Sequence, residues 1–291
     1  MLKLLLVTFS FIFTSFSFSQ ENFEFYGPFN SPIYTNLQEA YKNWQTAYKL
    51  KLNGPLETKK EWSKFDRLIH LQAIELNDNN FDTLPLSLGT YENLQFLQIN
   101  NPITCFPNEL SQLDNLKNLR LYNTNLDSLP KHMSHLYSLT ELQIQSNSND
   151  TLKIQLDFSY LKNLSSLFIY NSIYDSIPGN ISEAQKLKDL YLIKCSIDTL
   201  DSSVFGCKQL EMLVLDQNNL TNIPEEIYYM NNLKTLSLKG NNIHYLSEKM
   251  GYLRNLELLD LRENPINNHD LEIIKILLPK CQILFDPFEL D

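Results

Sequence analysis

Glycine is scarce, with 7 residues in a chain of 291. That scarcity excludes collagen-like segments and makes glycine-rich phosphate loops a poor reading. Basic residues are outnumbered: 24 Lys and Arg stand against 34 Asp and Glu, a formal net charge of −10. A chain this acidic is repelled by phosphate backbones and anionic membrane surfaces, so the sequence predicts no nucleic-acid partner. Metal-binding residues are thin as well. There are five His and four Cys, and none of them form a spaced ligand set. No Ser sits in a nucleophile elbow, and the paired acids such as Glu225-Glu226 follow Pro224 on what reads as a solvated segment. Nothing in the sequence marks an enzyme, a cofactor or a metal centre.

Long apolar runs are missing everywhere except at the start. Residues 1–19 carry one cation, Lys3, then an apolar stretch from Leu4 to Phe13, then small residues before Gln20. This is the pattern of a secretory signal peptide cut after Ser19, and its apolar part is short for a membrane span. The sequence therefore predicts an exported chain (secreted, periplasmic or cell-surface) with no integral membrane segment once the leader is removed.

What the sequence has in abundance is a repeat. Leu164, Leu187, Leu210, Leu233 and Leu256 are spaced by 23 residues. Each opens the same pattern, as in Leu-Lys-Thr-Leu-Ser-Leu-Lys-Gly-Asn-Asn-Ile at 233–243. Earlier copies open at Leu71, Leu94, Leu116 and Leu139, which gives nine clear copies, and Leu50 and Leu52 mark a degenerate one before them. Leu-x-Leu has period two, so both leucines point inward and the residue between them points out. Stacked copies place these strands side by side in a parallel sheet. An Asn eight residues into the copy, as in Asn79, Asn147, Asn218, Asn241 and Asn264, is suited to pair the backbone of adjacent coils, with Thr124, Ser172 and Cys195 as weaker replacements. Leu84-Pro85, Phe106-Pro107, Leu129-Pro130, Ile177-Pro178 and Ile223-Pro224 recur on the opposite side. The second copy is one residue short, with Pro102 where Asn would fall. The fourth carries an insertion at Ser148 to Thr151, so irregularity is expected at both.

This pattern resembles the leucine-rich-repeat family, in its 23-residue class with Leu-Pro after the turn. The resemblance covers about residues 47–266 and is nearest to exported bacterial members. It implies an α/β solenoid: a right-handed curved coil with a parallel concave sheet. Residues 20–46 are expected to form an N-terminal segment and cap helix, and 267–291 a C-terminal helical cap, because a stack of open coils must be closed at both ends. Thr35-Asn36-Leu37-Gln38 reads as a capping box, with Leu37, Ala40, Tyr41, Trp44 and Tyr48 following at helical spacing, so a helix is predicted over 36–48. Asp270 to Leu278 reads as the second cap helix.

The four cysteines, Cys105, Cys195, Cys207 and Cys281, read as mostly buried free thiols. Coils stack about 4.8 Å apart, which puts Cys105 roughly 19 Å from Cys195, beyond the roughly 7 Å between Cα atoms that a disulfide spans.

The outward strand positions line the concave face, the usual binding surface of a solenoid. Most are polar, including Glu75, Gln98 and Arg120. One group differs: Phe168, Tyr170, Tyr191, Ile193 and Val214 lie on three successive strands, with Asp216, Asp189, Lys194 and Lys188 around them. Contiguous apolar surface with aromatic anchors marks an interface, although strand positions also favour aromatics for cross-strand packing. These five residues, with Tyr122, are the predicted binding site for a protein or peptide. The alternative is adhesion to a carbohydrate or cell surface, with Tyr122, Tyr170 and Tyr191 stacking on sugar rings.

Overall fold

A computed structural model describes residue 23 and residues 25–56, 59–146, 152–172 and 179–286. The predicted signal peptide, Asn147 with the insertion after it, and Ile177-Pro178 lie outside the described residues. No helix among the described residues is long and apolar enough to cross a membrane.

The chain is a solenoid built on one parallel sheet of twelve strands. The N-terminal part contributes β1 (Ile33–Tyr34), β2 (Lys49–Asn53), β3 (Ala73–Asn77), β4 (Phe96–Asn100) and β5 (Asn118–Thr124). After a two-residue β6 (Ser128–Leu129) come β7 (Glu141–Ser146), a short β8 (Lys153–Ile154), β9 (Ser166–Tyr170) and β10 (Asp189–Ile193). The series ends with β11 (Met212–Val214), β12 (Thr235–Ser237), β13 (Leu258–Asp260) and β14 (Gln282–Leu284). Sheet order follows chain order, with β6 and β8 set aside as a separate pair on the returning side. The period-two leucines do what the sequence predicts. Leu190 and Leu192 are 0% and 2% exposed, Leu236 and Leu238 both 0%, and all four join one continuous core.

The convex side consists of short 3-10 turns, which suits a coil that must return within 23 residues. Pro85, Pro107, Pro130 and Pro224 each stand just before such a turn in extended backbone, and their carbonyls accept from Leu88, Leu110, Met133 and Ile227. Proline's fixed φ is suited to that entry, and its missing N–H is not needed there.

The asparagine ladder is present. The Asn218 amide donates to the carbonyls of Leu192 (2.7 Å) and Leu215 (2.9 Å), and its oxygen accepts from the N–H of Cys195 (2.9 Å) and Ile197 (3.2 Å). Asn241 and Asn264 repeat this on the next coils. In the short second copy Asn101 replaces Pro102 at the ladder, donating to Leu76 and accepting from the N–H of Asn79. In the fourth, Ser146 is buried in register with Thr124, and its hydroxyl donates to the Thr124 carbonyl at 3.3 Å.

Sequence reasoning missed why those two copies differ. The residue just before the ladder position adopts a left-handed backbone in Asp78, Asn123, Asn171, Lys194, Gln217, Gly240 and Glu263, with φ between 52° and 68°. The second copy lacks that residue, so Asn101 reaches the ladder one step early. The pairing of β5 with β7 shifts register between Tyr122 and Thr124 because Asn123 has no counterpart in β7.

The caps need two corrections. The N-terminal helix α1 runs only over Leu37–Lys42, with Asn36, not Thr35, as its N-cap, accepting from the N–H of Gln38 and Glu39. It stops early because the chain must be extended by Lys49 to enter the sheet. The Asn43 side chain donates to the Glu39 carbonyl and closes the end, and a 3-10 turn over Trp44–Thr46 bridges the gap. The C-terminal helix α2, Asn268–Leu277, starts from Asn267 as its N-cap and brings Asp270 to the N–H of Leu246 at 3.0 Å. The four thiols are free, as expected, but only Cys195 and Cys207 are buried; Cys105 is exposed and Cys281 is partly so.

Candidate binding face

Three side chains per strand point to the concave side, and register aligns them into rows. The central row runs Glu75, Gln98, Arg120, Gln143, Phe168, Tyr191, Val214, Ser237, Asp260. The row beside it holds Tyr122, Gln145, Tyr170 and Ile193.

Of the predicted residues, Phe168, Tyr170 and Tyr191 are half-buried and adjacent. Phe168 and Tyr191 are partners across β9 and β10, with ring centroids 5.5 Å apart and planes tilted by 46°. The Tyr191 hydroxyl lies 2.7 Å from the Met212 sulfur, and burial pushes its pKa well above the usual tyrosine range. The Lys194 ammonium stands 5.5 Å over the Tyr170 ring, a cation–π contact at the rim.

Ile193 and Val214 do not join the exposed patch as expected. They are 7% and 9% exposed, because Tyr170 lies in register beside the first and Tyr191 beside the second. A short aliphatic beside a larger ring is covered by it. Tyr122 is also apart. One strand, β7, lies between it and Tyr170, which puts them about 10 Å apart at the sheet spacing. Its hydroxyl donates to Gln143 Oε1 at 2.5 Å, and burial pushes its pKa up to about 12. It belongs to a polar network in which Arg120 pairs with Glu141 at 3.0 Å and Gln143 donates to the same carboxylate at 2.7 Å.

On the other flank, Asp216 accepts from the Ser237 hydroxyl (2.5 Å) and the Lys239 N–H (3.1 Å). Burial outweighs these bonds and pushes its carboxyl up to about 6. Lys188 and Lys234 share Glu211 at the edge.

The N-terminal half of this face is not open surface. Glu75 is fully buried and paired with Lys51 at 2.6 Å, and Arg120 is 2% exposed. Phe23 and Tyr26 lie on the sheet here, against Ala73 and Phe96. The signal available in the sequence was the aromatic density of residues 23–29, Phe-Glu-Phe-Tyr-Gly-Pro-Phe.

The histidines sit apart from one another in function. His132 Nε2 is 3.0 Å from the Phe106 carbonyl, while His135 packs between Tyr137 and Tyr160. Among the described residues no group of three or more His, Cys, Asp or Glu is placed to hold a metal ion.

Comparison with known proteins agrees with the geometry. The leucine-rich-repeat region model matches residues 40–175, and the leucine-rich-repeat model matches 185–243 and 208–266. No curated protein matches. Among solved structures, an internalin, InlF of Listeria monocytogenes, is 18% identical over 88% of this chain and 78% of its own, with a TM-score of 0.64. The leucine-rich-repeat domain of the type III effector XopL is 24% identical over 86% of this chain and 89% of its own, with a TM-score of 0.68. PEPR1, solved in the PEPR1–AtPEP1 structure, is 23% identical over 81% of this chain but only 33% of its own, with a TM-score of 0.61. Identities this low speak for the fold alone. Together with the two repeat models, the ladder and the inward leucines, they place this chain in the leucine-rich-repeat family.

Proposed function

We propose that this protein is an exported protein-binding module that grips its partner on the concave face, with Phe168, Tyr170 and Tyr191 as anchors. The observation that carries this reading is the Phe168–Tyr191 pair: two large rings in contact on adjacent strands, outside the core and half-open to solvent. Ile193 and Val214 stand beside them as nearly covered apolar neighbours, and Tyr122 with its polar network lies toward one side. Half-buried aromatics with charged groups at the rim are the usual anatomy of an interface centre. The leader-like residues 1–19 support export. Glycan binding is the weaker reading, because the Phe168 and Tyr191 rings already pack on each other.

The test is the double variant Phe168→Ala, Tyr191→Ala. Partner captured by the wild-type protein should bind it about thirtyfold more weakly, or about 2 kcal/mol. Its melting should change by no more than about 1 kcal/mol, since the inward leucines and the ladder are untouched. Glu248→Ala, on an exposed convex turn, should bind as wild type. Unchanged binding by a folded double variant would refute this site, and retention on a glycan array without protein capture would favour adhesion.

A further inference from the structure

The cap helix α1 already closes the N-terminal end of the stack, yet Phe23 and Tyr26 lie on the concave side, where solenoid partners sit. Phe96 on β4 is the platform. The Phe23 ring meets it edge-on at 5.8 Å between centroids, the Tyr26 ring meets it at 5.7 Å, and the Arg120 guanidinium stands 5.3 Å from the same ring. The Tyr26 hydroxyl donates to Asn118 on β5 at 3.3 Å, and the Gly27 N–H donates to Gln72 at 2.9 Å. Gly27 is required for this path. Its φ is +76°, and a Cβ there would lie 2.7 Å from both Ser31 Oγ and Tyr48 Cβ.

The segment also sorts its rings. Phe23 is 2% exposed, whereas Phe25 and Phe29 are 82% and 96% exposed. A stretch that merely collapsed on the sheet would bury whichever rings lay nearest. Here a Phe-x-x-Tyr pair is inserted and the rings beside it are left in water. The surface beneath retains unused capacity: buried Arg120 Nη1 and Gln98 Oε1 have no hydrogen-bond partner among the described residues. A surface with an aromatic platform, a guanidinium and free polar atoms is built to take a peptide.

We propose that β3–β5 carry a peptide-binding subsite for a Phe-x-x-Tyr segment, and that the chain's own Phe23 and Tyr26 fill it as a tethered ligand. The segment blocks the Phe96 end of the concave face and leaves the β9–β10 aromatics as the open part. Release of the strap extends the usable face toward the first coils. This subsite is separate from the Phe168–Tyr191 patch, and its test needs no knowledge of the partner.

The experiment uses the full chain carrying Phe23→Ala and Tyr26→Ala, and a fluorescein-labelled peptide of residues 23–29 read by anisotropy. The peptide should bind this variant saturably. It should bind the wild-type chain at least tenfold more weakly, because a segment tethered in cis competes at an effective concentration in the millimolar range. A peptide with Phe25→Ala should bind like the native one, and a peptide with Phe23→Ala and Tyr26→Ala should lose at least tenfold. No binding to a double variant that melts normally, or equal binding to variant and wild type, overturns the proposal. Should the double variant fail to fold, chymotrypsin cleavage within residues 23–29 decides. It should be at least tenfold faster in Phe96→Ala than in wild type, and equal rates overturn the proposal.

Discussion

A left-handed backbone costs an ordinary L-residue roughly 1–2 kcal/mol, and glycine nothing comparable. The coil uses that conformation just before each full ladder position, where the chain leaves the strand and adds one more bond to the neighbouring coil, as from the Gln217 N–H to the Lys239 carbonyl at 2.7 Å. Only Gly240 is glycine at these positions; Asp78, Asn123 and Asn171 tolerate the conformation, and Lys194, Gln217 and Glu263 are strained by it. Gln217→Gly should therefore stabilise the protein by about 0.5 kcal/mol, since relieved strain exceeds the added freedom of the unfolded chain, and Gly240→Ala should cost about 1 kcal/mol. Thermal melting of both variants checks the pair, and the reverse order would refute the strain. Asp216 is a second residue held in an unfavourable state. Its carboxyl titrates at about 6 in the fold against an ordinary 3.8, so its proton is held more tightly in the folded chain than in the unfolded one. The resulting contribution to stability is complete below pH 4 and is lost as pH rises through 6. Asp216→Asn keeps an acceptor for Ser237 and Lys239 and carries no charge. It should match wild type at pH 4 and exceed it by about 2 kcal/mol at pH 7. Denaturation curves at the two pH values test this, and an equal difference at both would show that folding leaves the Asp216 pKa unchanged.

At the scale of the strand and its turn, the ladder residue decides how well one coil is fastened to the next. Asn218 satisfies two carbonyls and two N–H groups with one side chain, all buried. Asn218→Ala should cost about 3 kcal/mol, because those groups lose partners in a place without water. Thr124 occupies the equivalent place, and its hydroxyl makes no hydrogen bond among the described residues. Thr124→Val should therefore change stability by less than about 1 kcal/mol, and urea melts of the two variants would separate them. The elements were legible in the sequence wherever one periodicity acts alone. Leu-x-Leu placed every strand of the twelve-stranded sheet from β2 to β13, and Asn with Pro placed the turns, whereas the short β6–β8 pair was not foreseen. Thr35 against Asn36 was not decided by pattern, since both are good caps and only the path into β2 selects between them. The exposure of Ile193 and Val214 was not legible either, because it depends on how far the rings of neighbouring strands lean. The strap was invisible for a related reason: Phe23 and Phe25 are identical in type, and only docking on Phe96 distinguishes them.

A stack of this kind has a stability that is nearly the sum of its coils and their contacts, so weakness in a few coils stays local. The ladder is uneven along the molecule. Asn79 and Asn101 fasten the first coils and Asn218, Asn241 and Asn264 the last, while among the described residues the four coils between them present Thr124, Ser146, Ser172 and Cys195. The Ser146 and Ser172 hydroxyls make bonds of 3.3 Å, and the Cys195 thiol, a weak donor, spans 3.3 Å or more to its carbonyls. These middle coils carry Phe168, Tyr170 and Tyr191. These aromatic rings thus stand on the least firmly tied part of the frame, with the firmer coils on either side holding the curvature. Hydrogen exchange followed by mass spectrometry should find the amides of 166–172 and 189–195 exchanging at least tenfold faster than those of 235–241 and 258–264, a difference of about 1.4 kcal/mol in local opening. The leucine cores of the two regions are equally buried, so hydrophobic packing alone predicts equal protection. Equal exchange would mean that the leucines set stability everywhere and that the ladder only guides the chain. Faster exchange in the middle would mean that the coils bearing the aromatic rings have room to adjust to a partner, and a partner bound there should slow exchange in those coils before it slows any other.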